Sequence, residues 1–113
     1  MPEDEAKEAE NRKVLERHFA KAMQEVYVRA KEEAGYTPTY YLQMLQELGA
    51  LGAARRLLAS ARVSDGFTAL WERGRLDRTV ENTMLKPEFA ELFADDELET
   101  ARRRLADYGF IPN

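Results

Sequence analysis

Apolar residues recur every three to four positions along most of this chain, and nowhere do they alternate with polar ones over a strand's length. The first and longest stripe runs Leu15, Phe19, Ala22, Met23, Val26, Tyr27, Ala30 and Ala34, one face of a 3.6-residue helix. Residues 3–34 hold no Pro or Gly and are rich in Ala, Glu, Lys, Arg, Met and Gln, so the pattern predicts a single helix across them. Glu3–Lys7, Glu8–Arg12 and Glu25–Arg29 add the favourable acid-first i,i+4 order. Before Val14 the stripe shrinks to Ala6 and Ala9. A domain of this length has a radius of gyration near ~13 Å and a diameter of roughly 34 Å, whereas a helix over 14–34 already spans about 31 Å. Residues 1–13 are therefore expected to overhang or fray, leaving residues 14–113 as a single helical domain.

Gly35 closes this first helix. Thr37 as N-cap, Pro38 at the first helical position, and a staple between Tyr36 and Tyr41 predict the next start. The second helix carries Tyr41, Met44, Leu45 and Leu48 and stops at Gly49; a third over 50–60 carries Leu51, Ala54, Leu57 and Leu58. Ser64 suits the cap of a fourth, whose stripe of Phe67, Leu70 and Trp71 places the single tryptophan in the core before Gly74. Leu76, Val80 and Met84 form a short stripe, and Pro87 opens a turn or two with Phe89, Leu92 and Phe93. The last helix opens at Asp95, where Asp95, Asp96 and Glu97 complement the positive helix terminus, and carries Leu98, Ala101, Leu105 and Tyr108. The expected fold is all-α: one long N-terminal helix followed by about six short helices packed as a compact orthogonal bundle.

Composition narrows the chemistry more than it points to any. The chain has no cysteine, which excludes disulfides, thiolate nucleophiles and Cys-based zinc sites. No apolar run approaches the roughly 18 residues a membrane helix needs, and no basic-then-apolar leader marks secretion, so the expected location is cytoplasmic. His18, the single histidine, has Val14, Leu15, Lys21 and Ala22 at helical spacing, none a usual metal ligand, and reads as a surface or core-edge residue. The run Asp95–Glu97 lacks the glycine and the distal acid of a calcium loop. Ser64 lacks the glycine two residues before it that a nucleophile elbow requires, and the glycines sit mostly at helix ends rather than in a phosphate-cradling loop. No catalytic, cofactor-binding or metal-binding residue is therefore assigned.

Two arginine-bearing segments stand out. Residues 41–60 have the outline of a helix-turn-helix with Gly49 in the turn, and Arg55 and Arg56 could reach phosphates from it. Against this, Arg55 takes a position where such a motif buries an aliphatic side chain, and the net charge of −4 provides no steering field. Arg73, Arg75 and Arg78 flank a helix break beside Trp71, a composition typical of interface hot spots; the competing reading pairs them with Glu72, Asp77 and Glu81. Arg102–Arg104 are consecutive on a helix and fan around it, a weaker signal still.

The stretches Ala30–Tyr36, Ala54–Leu58, Gly66–Phe67 with Leu70–Glu72, Gly74–Asp77, Thr79–Glu81, Leu85–Phe89, Leu92–Phe93 and Tyr108–Phe110 carry a resemblance. In that order they resemble a small all-helical domain that recurs in uncharacterised bacterial proteins, over about three quarters of the chain from Tyr27 onward. The resemblance implies a helical domain that stands alone or beside nuclease-type modules, with no catalytic residue to carry over. Arg78 departs from it, standing where leucine is usual.

The sequence thus leads to an expectation of a non-catalytic helical protein-interaction module, self-associating and accessory to a larger bacterial system. Its candidate interface is Leu15, Phe19, Met23, Tyr27, Arg73, Arg75 and Arg78, with a second copy favoured as partner because the first stripe is wider than one small domain needs. The alternative is a nucleic-acid-binding accessory domain using Arg55, Arg56, Arg73, Arg75 and Arg78.

Overall fold

The computed structural model describes residues 2–35 and 38–112. It is 79% helical, and no strand occurs among the described residues. The first helix, α1, runs Pro2–Ala34. At 1.5 Å per residue its 33 residues set the longest dimension of a molecule measuring 50 × 26 × 23 Å. Residues 4–13 are exposed on every side, as their lack of a wide apolar stripe requires. From Leu15 onward the stripe is covered. Phe19 has no exposed surface and stands edge-on to Phe89 and Phe93, with ring centroids 5.3 and 5.2 Å away.

The second helix, α2 (Thr39–Ala59), is two helices in one span. Gly49 interrupts it with φ 74° and ψ 174°, a left-handed backbone that any Cβ would strain, so the break falls where the sequence predicts a turn. The start differs by one residue. Pro38 has ψ 70°, outside the helical range, and acts as N-cap with its carbonyl accepting from Leu42 N at 3.1 Å; helical geometry begins at Thr39. The Thr37 cap and the Tyr36 end of the staple lie outside the described residues.

The remaining elements follow the predicted punctuation. α3 (Asp65–Glu72) is capped by Ser64, whose Oγ accepts from Phe67 N at 3.1 Å. A 3-10 turn over Leu76–Arg78 leads into α4 (Val80–Met84), capped by Thr79. α5 (Pro87–Ala90) opens on its proline, and α6 (Asp95–Asp107) closes the fold. At the start of α6, Ala94 N donates to Glu97 Oε1 at 2.9 Å, so Glu97 reaches back over the open end as well as screening its dipole. The main core gathers Phe19, Met23, Met44, Ala53, Ala54, Val80, Met84, Phe89, Leu92, Phe93 and Leu98; a smaller one joins Phe67, Leu76 and Leu105.

Trp71 is a correction to the expected core. It is 46% exposed, turned edge-on to Tyr108 at 5.4 Å, because the slot inside α3 is taken by Phe67 and Leu70.

Candidate functional site

Where α1, α2, α3 and α4 meet, their apolar faces do not close. They leave an open cleft of about 510 Å³. Val26, Tyr27 and Ala30 line it from α1, Tyr41, Met44 and Leu57 from the two halves of α2, and Phe67 and Leu70 from α3. The kink at Gly49 is what brings Tyr41 and Leu57, sixteen positions apart in one helical span, to the same hollow. A second, polar hollow of about 650 Å³ lies between the 61–65 turn and α6, beside Thr68, Arg104 and Asp107. Its larger volume is open space over charged side chains, so the first cleft is the better binding site.

The floor of the cleft holds polar groups that are already engaged. Tyr41 donates its hydroxyl to Met23 O at 2.7 Å, and burial, then the charge of Glu81, push its ionisation far up. Thr79 donates to Leu76 O at 2.7 Å and accepts from Asn82 N at 3.2 Å. Glu81, only 3% exposed, lies 3.5 Å from the Arg104 guanidinium. Burial raises the Glu81 carboxyl above its ordinary value, outweighing its own backbone amide and the charge and hydrogen bond of Arg104. Arg104 also donates to Leu57 O at 2.8 Å, to Leu58 O at 3.1 Å and to Ser60 O. One side chain from α6 therefore satisfies the open carbonyl end of α2 and neutralises the buried acid of α4.

The rim is different. Tyr40, Arg56, Ala59, Ser60, Arg62 and Asp65 are its exposed members. Among the described residues Arg56 and Arg62 form no ion pair.

The structure distributes the candidate interface residues rather than gathering them. Phe19 and Met23 are wholly inside the chain's own core, and Leu15 packs against it, so the stripe assigned to a second copy is spent within one molecule. Tyr27 is the one member that reaches the cleft. Arg75 and Arg78 are held by α1 and by their own turn: Arg75 lies 2.9 Å from Glu33 and 3.0 Å from Asp77, and Arg78 lies 3.5 Å from Glu33. The Arg75 hydrogen bond holds the Asp77 carboxyl below its ordinary value. Glu33 takes the role the sequence gave to Glu72 and Glu81. Arg73 alone of the three is exposed without an ion pair among the described residues.

Arg55 is engaged as well. Its Nε lies 2.8 Å from Glu97 Oε2, a terminal nitrogen donates to Leu92 O at 3.2 Å, and the guanidinium sits 5.6 Å above Phe93. Burial pushes Glu97 up, but the Ala94 amide, the Arg55 hydrogen bond and the Arg55 charge together hold it below its ordinary value. His18 is exposed, and no group of three or more potential metal ligands converges among the described residues. No described helix is long and apolar enough to cross a membrane. Sequence reasoning missed Glu81 and Arg104. The available signal was an acid inside the apolar stripe Leu76–Val80–Met84 and an arginine one position before Leu105, a pairing that only the fold makes visible.

No protein-family model matches the chain, and neither a curated protein nor a solved structure is significantly similar to it.

Proposed function

We propose that the protein is a cytoplasmic, non-catalytic helical interaction module, accessory to a larger bacterial system, and that it binds a partner protein through the cleft between α1, α2 and α3. The observation that carries this reading is an open apolar hollow of about 510 Å³ beside a main core that is otherwise closed. That volume lies within the range of specific binding sites, roughly 300–1,000 Å³, and suits the projecting side chains of a partner helix. The polar floor supports binding rather than chemistry, since Tyr41, Thr79 and Glu81 are each already partnered. The first-helix stripe offers little for self-association, with Phe19 and Met23 buried. A nucleic-acid role has less support, because Arg55, Arg75 and Arg78 are tied to carboxylates.

A neutral amphipathic helical peptide is the test. At concentrations up to about millimolar, where even weak apolar docking registers, it should shift the methyl resonance of Met44, which lines the cleft, and leave that of Met84, which does not. Ala59→Trp, a bulky side chain at an exposed rim position, should abolish the shift. An unperturbed Met44 in the folded protein refutes the reading.

A further inference from the structure

The polar accounting of the cleft names its partner more closely. Three polar side chains of the floor are spoken for: Tyr41 on Met23 O, Thr79 on Leu76 O and Asn82 N, Glu81 on Arg104. Against that floor an occupant gains most by offering apolar groups, because a buried polar group without a partner costs more than it returns. Charge recognition is left to the rim. Its exposed charged members are Arg56, Arg62 and Asp65, two cations against one anion, on a chain whose net charge is −4. Local sign and global sign are opposed at this one mouth. Neither arginine has an ion-pair partner among the described residues, whereas Arg55, one position along the same helix as Arg56, is fully committed.

We infer that the cleft takes an acidic amphipathic helix from a partner protein, its apolar residues in the hollow and its carboxylates on Arg56 and Arg62. This rests on the interaction reading above and specifies the partner's chemistry. A helix fits better than a free fatty acid, because Tyr40 stands 63% exposed at the mouth and an occupant confined to the hollow would leave it wet. A second copy of this chain does not supply the helix. Its exposed acidic arm, residues 4–13, carries only Ala6 and Ala9 as apolar side chains, too little to fill about 510 Å³.

Two synthetic helical peptides of about 18 residues test the assignment, sharing a Leu/Phe stripe at i, i+3, i+4 and i+7 and differing only in a Glu or a Lys polar face. Binding to the full chain is read by fluorescence anisotropy at ~150 mM salt. The acidic peptide is expected to bind about tenfold tighter or more, with the gap narrowing as salt rises and reversing in the Arg56→Glu, Arg62→Glu double variant. Both positions are exposed, and circular dichroism confirms that the variant folds. Equal binding of the two peptides, unchanged by the charge reversal, overturns the acidic partner and leaves the cleft reading standing. Failure of both peptides to bind the folded chain overturns the cleft reading itself. Saturable binding of decanoate with neither peptide bound overturns the helix and makes the cleft a site for small amphipathic carboxylates.

Discussion

Replacing Arg104 by methionine separates the two jobs of that side chain by pH. Methionine keeps the apolar stem packed on the α2–α6 junction while removing the guanidinium. At about pH 8 the variant strands Glu81, a carboxylate 3% exposed, without its counter-charge, and leaves the carbonyls of Leu57, Leu58 and Ser60 unpaired. Removing one partner of a buried ion pair costs about 3–5 kcal/mol, roughly a fifth or more of the ~5–15 kcal/mol that holds a domain of this kind together. The Glu81 carboxyl already has its folded value raised above 4.5, and losing Arg104 raises it further. A raised carboxyl binds its proton more tightly in the folded state than in the unfolded one. Its contribution is therefore fully present below the ordinary value and is lost as pH climbs through the raised one. Lowering the pH toward about 4.5 protonates Glu81 in the variant and cancels the electrostatic part, so the deficit should shrink to about 1–3 kcal/mol, the cost of the unpaired carbonyls. Urea unfolding followed by circular dichroism, with wild type as reference at each pH, reads the difference. Glu81→Gln alone should cost less at pH 8 than the Arg104 variant, because Arg104 keeps its three carbonyl acceptors, and the double variant should show only the carbonyl part of the deficit, about 1–3 kcal/mol. A deficit that is the same at both pH values, or a double variant no better than the single, refutes the buried-charge account.

Phe19→Ala should destabilise by about 3–5 kcal/mol in the same assay, since it empties the contact among α1, Phe89 and Phe93; a loss under about 1 kcal/mol would mean that α1 is not pinned there. Ser64→Ala should cost about 1 kcal/mol through the lost acceptor for Phe67 N, and Ser64→Asp should restore it. Deleting residues 2–10 should leave the melting temperature and the number of copies read by light scattering unchanged, because residues 4–10 are exposed and outside the core; a fall in the number of copies would reinstate the arm as an assembly element.

The helices were legible because each boundary has a local chemical cause. Gly49, Ser64, Pro87 and Asp95 act within one turn of their own positions, and the structure uses all four near the predicted places. Which stripe faces which is a tertiary matter, and periodicity is blind to it. Phe19 and Met23 look the same in sequence whether α5 of this chain or α1 of another covers them. The first stripe looks wider than one domain needs when taken by itself, yet Phe89 and Phe93, from the short segments after Pro87, are what cover Phe19. Trp71 failed for the complementary reason. It shares a stripe with Phe67 and Leu70 on a helix of only 8 residues, which lacks the length to bury three large side chains in one line.

Charges were harder to read than stripes, and the failure has one physical root. A guanidinium on a long flexible stem can be satisfied 40 or more positions away, as Arg55 is by Glu97 and Arg104 by the carbonyls of Leu57 and Leu58. Local density of arginine therefore says little about which ones are free. The cluster at 73–78 is conspicuous and is largely consumed by Glu33 and Asp77, whereas Arg56, a candidate phosphate contact in the sequence, and Arg62, which no sequence signal marks, stand unpaired among the described residues. The distinction follows from what each cation can reach. Arg75 and Arg78 sit on the turn against α1, within a side chain's length of Glu33, while Arg56 and Arg62 flank an opening whose one buried acid has already been taken by Arg104 from the other side. The pairing that closes α2's end and neutralises Glu81 is thus the same event that leaves the rim of the cleft positive.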